Sequence, residues 1–231
     1  MDPRTFVVDG GTSGLGLEVA RILAVDHRVV IIGNVATEVS QARDELGCDG
    51  IVCDISDPNQ VSDTLAEVVG RYGPIDGLAH CAAMWAGGAL EDLAPEMIRR
   101  AIEVNVLGTA ILLRETLIRM RGQGYGNVVY VSALATDIPR PGIPLYRATK
   151  SFGTSLVESL AEAQGTNSIK VMEIHPGPMH TRLQERVGAD FLDTIFALPE
   201  QVATEVVRLL LLTADDLYVS GQRVLRADGR W

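Results

Sequence analysis

Apolar residues along the 231-residue chain fall into short β-branched runs, separated by longer stretches in which apolar positions return every three to four residues. A strand buried on both faces reads as an unbroken apolar run, whereas a helix lying across it shows the longer period. The runs predict seven strands: Thr5–Asp9, Arg28–Gly33, Gly50–Cys53, Asp76–His80, Asn127–Ser132, Ile169–Ile174 and Leu217–Ser220. The periodic stretches predict helices over Leu15–Val25, Glu38–Leu46, Pro58–Tyr72, Pro95–Arg121, Pro144–Gln164 and Pro199–Leu212. Several open on a proline, whose fixed φ suits a first helical turn. Strand and helix alternate throughout, which predicts a single α/β domain over residues 1–231, a doubly wound fold with a seven-stranded parallel sheet flanked by helices. No linker, repeat or low-complexity stretch divides it.

Composition narrows the picture. With 47% hydrophobic and 22% charged residues, the chain has enough apolar material for a large core. Three cysteines, Cys48, Cys53 and Cys81, match neither a zinc pattern nor a disulfide framework and are expected to be reduced, buried and inert. A net charge of −10 without a basic run excludes a nucleic-acid partner. The apolar stretch Leu209–Leu212 is too short to span a bilayer, and an apolar strand follows Met1 too closely for a signal segment, so no membrane partner and a cytoplasmic location are expected.

The first strand runs into Asp9-Gly10-Gly11-Thr12-Ser13-Gly14-Leu15-Gly16, and a helix begins within that run. Such a turn lets backbone N–H groups and a helix N-terminus approach a pyrophosphate, although a tight βα turn without a ligand has the same appearance. Asp54 follows the third strand at the ligand-binding edge. Its carboxylate is placed to accept an adenine amino group or, alternatively, to cap the next helix, a role that Ser56 or Asp57 serves equally well.

Tyr146 and Lys150 stand four residues apart in a predicted helix and therefore share a face, although a pair so spaced is also common as surface decoration on exposed helices. A phenol of ordinary pKa, about 10, shuttles protons poorly at neutral pH, and a nearby ammonium lowers that value. Ser132, at the end of the fifth strand, is placed to donate to a carbonyl oxygen. Asn105, in the long fourth helix, is placed to hold a water that relays protons to Lys150.

On the glycine turn, Asp54, Asn105, Ser132, Tyr146-x-x-x-Lys150 and Pro176-Gly177, in this order, the sequence resembles the short-chain dehydrogenases/reductases over nearly its whole length. The resemblance implies a Rossmann-type fold and an NAD(P)H-dependent oxidoreductase that interconverts a ketone or aldehyde and an alcohol. It implies Tyr146 as general acid/base, Ser132 polarising the carbonyl, Lys150 holding the nicotinamide ribose and Asn105 supporting the relay. Cofactor contacts are expected at Gly10, Thr12, Ser13, Gly14, Leu15, Gly16, Asn34, Asp54, Ile55, Ala82, Tyr146, Lys150, Pro176, Gly177, Met179 and Thr181. No metal ligand is expected. The resemblance further implies a homodimer or homotetramer that pairs the Pro95–Arg121 and Pro144–Gln164 helices. Two alternatives keep the fold: non-redox chemistry such as dehydration or isomerisation, and dinucleotide sensing without turnover.

Two positions depart from the family pattern: Asp9 replaces the usual Thr, and His80-Cys81-Ala82-Ala83 replaces Asn-Asn-Ala-Gly. Either the changes are linked, through an Asp9–His80 hydrogen bond between neighbouring strand ends, or each is tolerated on its own. Strand two ends Gly33-Asn34, without the carboxylate that would repel a 2′-phosphate and without the arginine that would bind one. Thr12, Ser13 and Asn34 offer hydrogen bonds, so NADP(H) is favoured, with NAD(H) possible. Met84, Trp85, Leu134, Ile138, Ile143, Met179 and His180 are expected to wall an apolar substrate pocket, beneath a short lid over 182–198.

Overall fold

A computed structural model describes residues 3–139, 141–164, 168–179, 197–216 and 222–224, the last by backbone alone. Six parallel strands run through it: β1 (Thr5–Asp9), β2 (Arg28–Gly33), β3 (Asp49–Val52), β4 (Gly77–His80), β5 (Tyr125–Val131) and β6 (Ser168–Pro176), in the order β3-β2-β1-β4-β5-β6. Beside β6 lies only a three-residue edge segment, Gln222–Val224. The expected seventh strand over Leu217–Ser220 lies outside the described residues.

Between the strands run α1 (Gly14–Leu23), α2 (Ala36–Leu46), α3 (Pro58–Tyr72), α4 (Pro95–Ile102), α5 (Thr109–Gln123), α6 (Pro144–Gln164) and α7 (Pro199–Leu210). Local chemistry sets several boundaries. The Asp57 carboxylate accepts from the backbone N–H of Asn59 and Gln60 ahead of Pro58, so it takes the capping role at α3. Gly47 and Gly124 end α2 and α5 in the left-handed region, at φ 63° and 90°. The helix expected over Pro95–Arg121 is not continuous: Glu103–Gly108 forms a widened π turn between α4 and α5. Its apolar spacing barely changes across the break, which is why periodicity alone does not reveal it.

Successive residues of a strand face opposite sides, so odd and even positions feed two cores. Phe6, Val8, Val129, Val131, Met172 and Ile174 pack with α1 and α7. On that side Asn127 donates to the carbonyls of Leu210 and Leu212, and Lys170 to those of Ala214 and Asp216, which ties the chain after α7 to the sheet. Val7, Leu78, Val128, Tyr130 and Val171 pack on the other side with α3, α5 and α6. There Gly153 of α6 lies directly on the Tyr130 ring, with no room for a methyl group.

Gly70, also inside a helix, has open space at the same position. Gly153→Ala is expected to cost about 1–3 kcal/mol through overpacking, whereas Gly70→Ala is expected to add about 0.5–1 kcal/mol through helix propensity. Urea unfolding of the two variants checks the pair, and opposite shifts of the midpoint are the expected result.

Candidate active site

Parallel strands deliver all their carboxyl ends to one edge, and there a cavity of about 570 Å³ opens. Its floor is the turn after β1. Gly10 holds φ 70°, and a side chain there would strike the backbone of Ala82, its Cβ 2.7 Å from Ala82 N. Gly16 packs its Cα on the Gly10 carbonyl with the same lack of space. Ser13 precedes α1 without its side chain capping the helix, so the first amides of α1 are not covered by a cap. Thr12, Ser13, Gly14 and Leu15 line the cavity beside them. A cradle that any Cβ would fill, next to an uncapped helix N-terminus, fits a pyrophosphate.

The remaining walls gather most of the expected residues. Asn34, Asp54, Ile55 and Ala82 line one end; Ser132, Tyr146, Lys150, Pro176, Gly177 and Met179 line the other, with Met84, Trp85, Leu134 and Ile143. Ile138 is exposed and does not line the cavity. Thr181, His180 and the lid lie outside the described residues.

The two departures in the loops after β1 and β4 are linked. Register places Asp9 beside His80, and His80 Nδ1 lies 2.6 Å from Asp9 Oδ2, both side chains fully or almost fully buried. The other ring nitrogen, Nε2, lies 2.8 Å from Thr109 Oγ1 at the start of α5. One imidazole thus joins the glycine turn, β4 and the helix that follows the π turn.

Asn105 does not line the cavity. Its amide accepts from Met84 N at 2.7 Å and donates to Met84 O at 2.9 Å and to Thr149 Oγ1 at 3.0 Å. Both amide protons are spent, so the expected water relay has no donor left on this side chain. Asn105 instead clamps the loop after β4 to α6.

Tyr146 packs against Trp85, with ring centres 4.7 Å apart. Burial pushes its phenol up to about 12, and no field from Lys150 offsets it, contrary to the expected lowering. Lys150 is turned elsewhere: Nζ donates to the Val131 carbonyl at 2.6 Å and sits 4.3 Å from the centre of the Tyr130 ring. Burial pulls its ammonium down to about 7, against the electrostatic influence of Cys81, Asp9 and Glu173, which act to raise it. Ser132 Oγ shares a hydrogen bond of 2.6 Å with Thr154 Oγ1.

Asp54 lines the cavity, but both its oxygens are held. Oδ1 accepts from the N–H and hydroxyl of Ser56, and Oδ2 from Arg100 Nη2 at 2.5 Å. Burial works against the carboxylate, yet these bonds keep its pKa below the ordinary value. An adenine amino group would meet an oxygen already committed to a guanidinium. Arg100 itself lines the cavity, as does Glu38 of α2. Neither stands out in the sequence; the end of β2 carries no carboxylate, as expected, but Glu38 adds one to the cavity lining from α2. Thr109, Thr149 and Thr154, the hidden partners of the polar residues, carry one available signal: a hydroxyl on the buried stripe of a helix. Cys48, Cys53 and Cys81 are free thiols, all raised by burial, the first two to about 11; only Cys53 is fully buried. Among the described residues no helix is long and apolar enough to cross a membrane, and no cluster could hold a metal ion.

The family model for short chain dehydrogenases matches residues 4–191, so the chain belongs to the short-chain dehydrogenase/reductase family of oxidoreductases, which use NAD(P)H. It is 29% identical to carbonyl reductase family member 4 of Xenopus tropicalis, over 98% of this chain and 97% of that one. It is 27% identical to a 3-oxoacyl-(acyl-carrier-protein) reductase of Thermotoga maritima, over 99% and 98%. A variant of the actinorhodin polyketide ketoreductase, solved with NADPH, superimposes with a TM-score of 0.89 over 100% of this chain and 98% of that one. At 24% identity this likeness speaks for the fold.

The Lys150 ammonium carries an ordinary value of 10.5 when unfolded and about 7 when folded. Between these limits the unfolded chain holds a proton that the folded one has released, so stability rises with pH. The raised cysteine thiols oppose this only above their ordinary value of 9.0. The urea midpoint is therefore expected to climb from pH 7 to pH 9, and Lys150→Met to flatten the climb. Equal slopes in the two proteins would assign the effect elsewhere.

Proposed function

We propose that the protein interconverts a ketone or aldehyde and an alcohol by hydride transfer, with Tyr146 as the proton-transferring residue. One observation carries the reading: Ser132, Tyr146 and Lys150 line the same cavity as the glycine turn. When bound, the nicotinamide supplies or accepts the hydride. Tyr146, held protonated at neutral pH by its burial, gives its hydroxyl proton to the carbonyl oxygen in the reductive direction. Ser132 exchanges its Thr154 partner for the same oxygen, and Trp85 packs over the tyrosine and excludes water. In the oxidative direction Tyr146 must first lose its proton, which calls for Lys150 to leave the Val131 carbonyl and face the phenol. Asn105 contributes by holding the Met84 loop against α6.

The walls Met84, Trp85, Leu134, Ile143 and Met179 suit a medium-sized apolar or aromatic substrate. The names of the two reductase relatives agree with a carbonyl substrate. NADP(H) is the preferred cofactor on the hydrogen bonds that Thr12, Ser13 and Asn34 offer to a 2′-phosphate. Glu38 favours a second reading, NAD(H), because a carboxylate at that end repels the phosphate and suits ribose hydroxyls. Exposed Ile102, Leu107, Ile118 and Phe152 on α4, the π turn, α5 and α6 support pairing of two chains through these helices.

Tyr146→Phe is expected to lower reduced-nicotinamide consumption with a panel of ketones by about 10²–10⁴-fold, while cofactor binding by fluorescence titration is retained. Undiminished turnover in this variant would end the proposed mechanism. The KM values for NADPH and NADH measure the cofactor choice, with the lower value expected for NADPH and a clear NADH preference establishing the Glu38 reading.

A further inference from the structure

Four buried titratable groups form a row across the sheet that the proposed reaction leaves unused. Register sets Asp9 beside His80, His80 beside Tyr130, and Tyr130 beside Glu173. Strand alternation turns all four toward α5 and α6, and none is more than 1% exposed. Lys150 reaches over the middle of the row, its ammonium on the face of the Tyr130 ring.

A carboxylate removed from water needs its oxygens matched by donors or its charge by a cation. Asp9 is matched by His80. Glu173 is half matched: His175 Nε2 lies 3.2 Å from Oε1, while Oε2 is buried without a hydrogen-bond partner. The other nitrogen of His175 is 3.2 Å from Thr136 Oγ1, with Asp137 beyond it at 3.9 Å.

The groups facing Lys150 can be compared strand by strand. Asp9 of β1 also acts to raise the ammonium, and its Oδ2 is already bonded to His80 of β4. The Cys81 thiol, next along the chain, is held protonated by burial. Tyr130 of β5 and Tyr146 of the same helix are kept neutral in the same way. Glu173 of β6 is left as the neighbouring carboxylate with an oxygen that no donor occupies.

We propose that Glu173 is a positioning residue for Lys150: across the Tyr130 ring its carboxylate supplies a counter-charge that favours the ammonium form of this buried side chain. The inference rests on the reading of Lys150 as part of the reaction centre, yet the charge pairing belongs to the folded protein and is measurable without turnover.

The chain contains two lysines, Lys150 and Lys170, and the second faces the opposite side of the sheet among the Ala214 and Asp216 carbonyls. Protein labelled with ¹³C-lysine therefore gives two Cε resonances to follow with pH, one of them an internal control. In the wild type the Lys150 midpoint is expected near 7. Glu173→Gln should lower that midpoint by about one pH unit, a tenfold weaker hold on the proton, and leave Lys170 in place. Glu173→Asp, which keeps the charge, should restore most of the difference. Should the glutamine variant not fold, Glu173→Met carries the same expectation with an apolar side chain of similar size. A Lys150 midpoint that is the same with and without the carboxylate, or a Lys170 midpoint that moves equally, overturns the proposal. A wild-type protein that consumes no reduced nicotinamide would sink the proposed reaction and leave this titration standing, so the two fail separately.

Discussion

The structure depends on a constraint of every doubly covered parallel strand: alternate residues must face different helices. Here one side, closed by α1 and α7, takes a mostly apolar set, with Asn127 and Lys170 spent on the chain after α7. The other, beneath α5 and α6, takes Asp9, His80, Tyr130, Ser132, Glu173 and His175. A buried polar atom without a partner costs about 1–3 kcal/mol, and the helices above this face relieve part of that cost by bringing hydroxyls. Thr109 meets His80, Thr149 meets Asn105 and Thr154 meets Ser132. The chemistry therefore lies on one side of the sheet, and the opposite side is free to serve as packing.

The Asp9–His80 pair shows how the cofactor cradle is tied to the rest of the molecule. Gly10 and Ala82 touch backbone to backbone, so the turns after β1 and β4 must be held in mutual register before a ligand arrives. A single hydroxyl or amide would join two elements; the imidazole, with a partner on each nitrogen, joins three. Its second partner sits immediately after the π turn, whose Asn105 in turn grips the Met84 loop. The floor and one wall of the cavity are thus parts of one buried hydrogen-bonded assembly.

Much of this was legible in the sequence, for physical reasons. β-branched runs locate strands to within a residue or two, because a strand buried on both faces tolerates little else. The glycine turn is legible because its backbone contacts admit no side chain. The Asp9–His80 bond follows from strand order and two coincident departures. Contacts that depend on how long side chains reach across space were not legible. Arg100 arrives at Asp54 from 46 residues away, and Glu38 enters the cavity from a helix face. Nor does four-residue spacing reveal that Lys150 turns from Tyr146 to a strand carbonyl: spacing fixes a helix face, and the cost of burying a charge decides where the chain end points.

One consequence of the two buried lysines concerns the outside of the protein. Since Lys150 and Lys170 are 2% and 7% exposed, every side-chain cation on the described surface other than histidine is an arginine. Guanidinium stays charged at any pH a folded protein survives and does not accept an acyl group as an amine does. The outer positive charge is therefore fixed, beyond the reach of alkaline titration and of side-chain acetylation. Solubility and partner electrostatics on this surface answer to carboxylates and histidine alone.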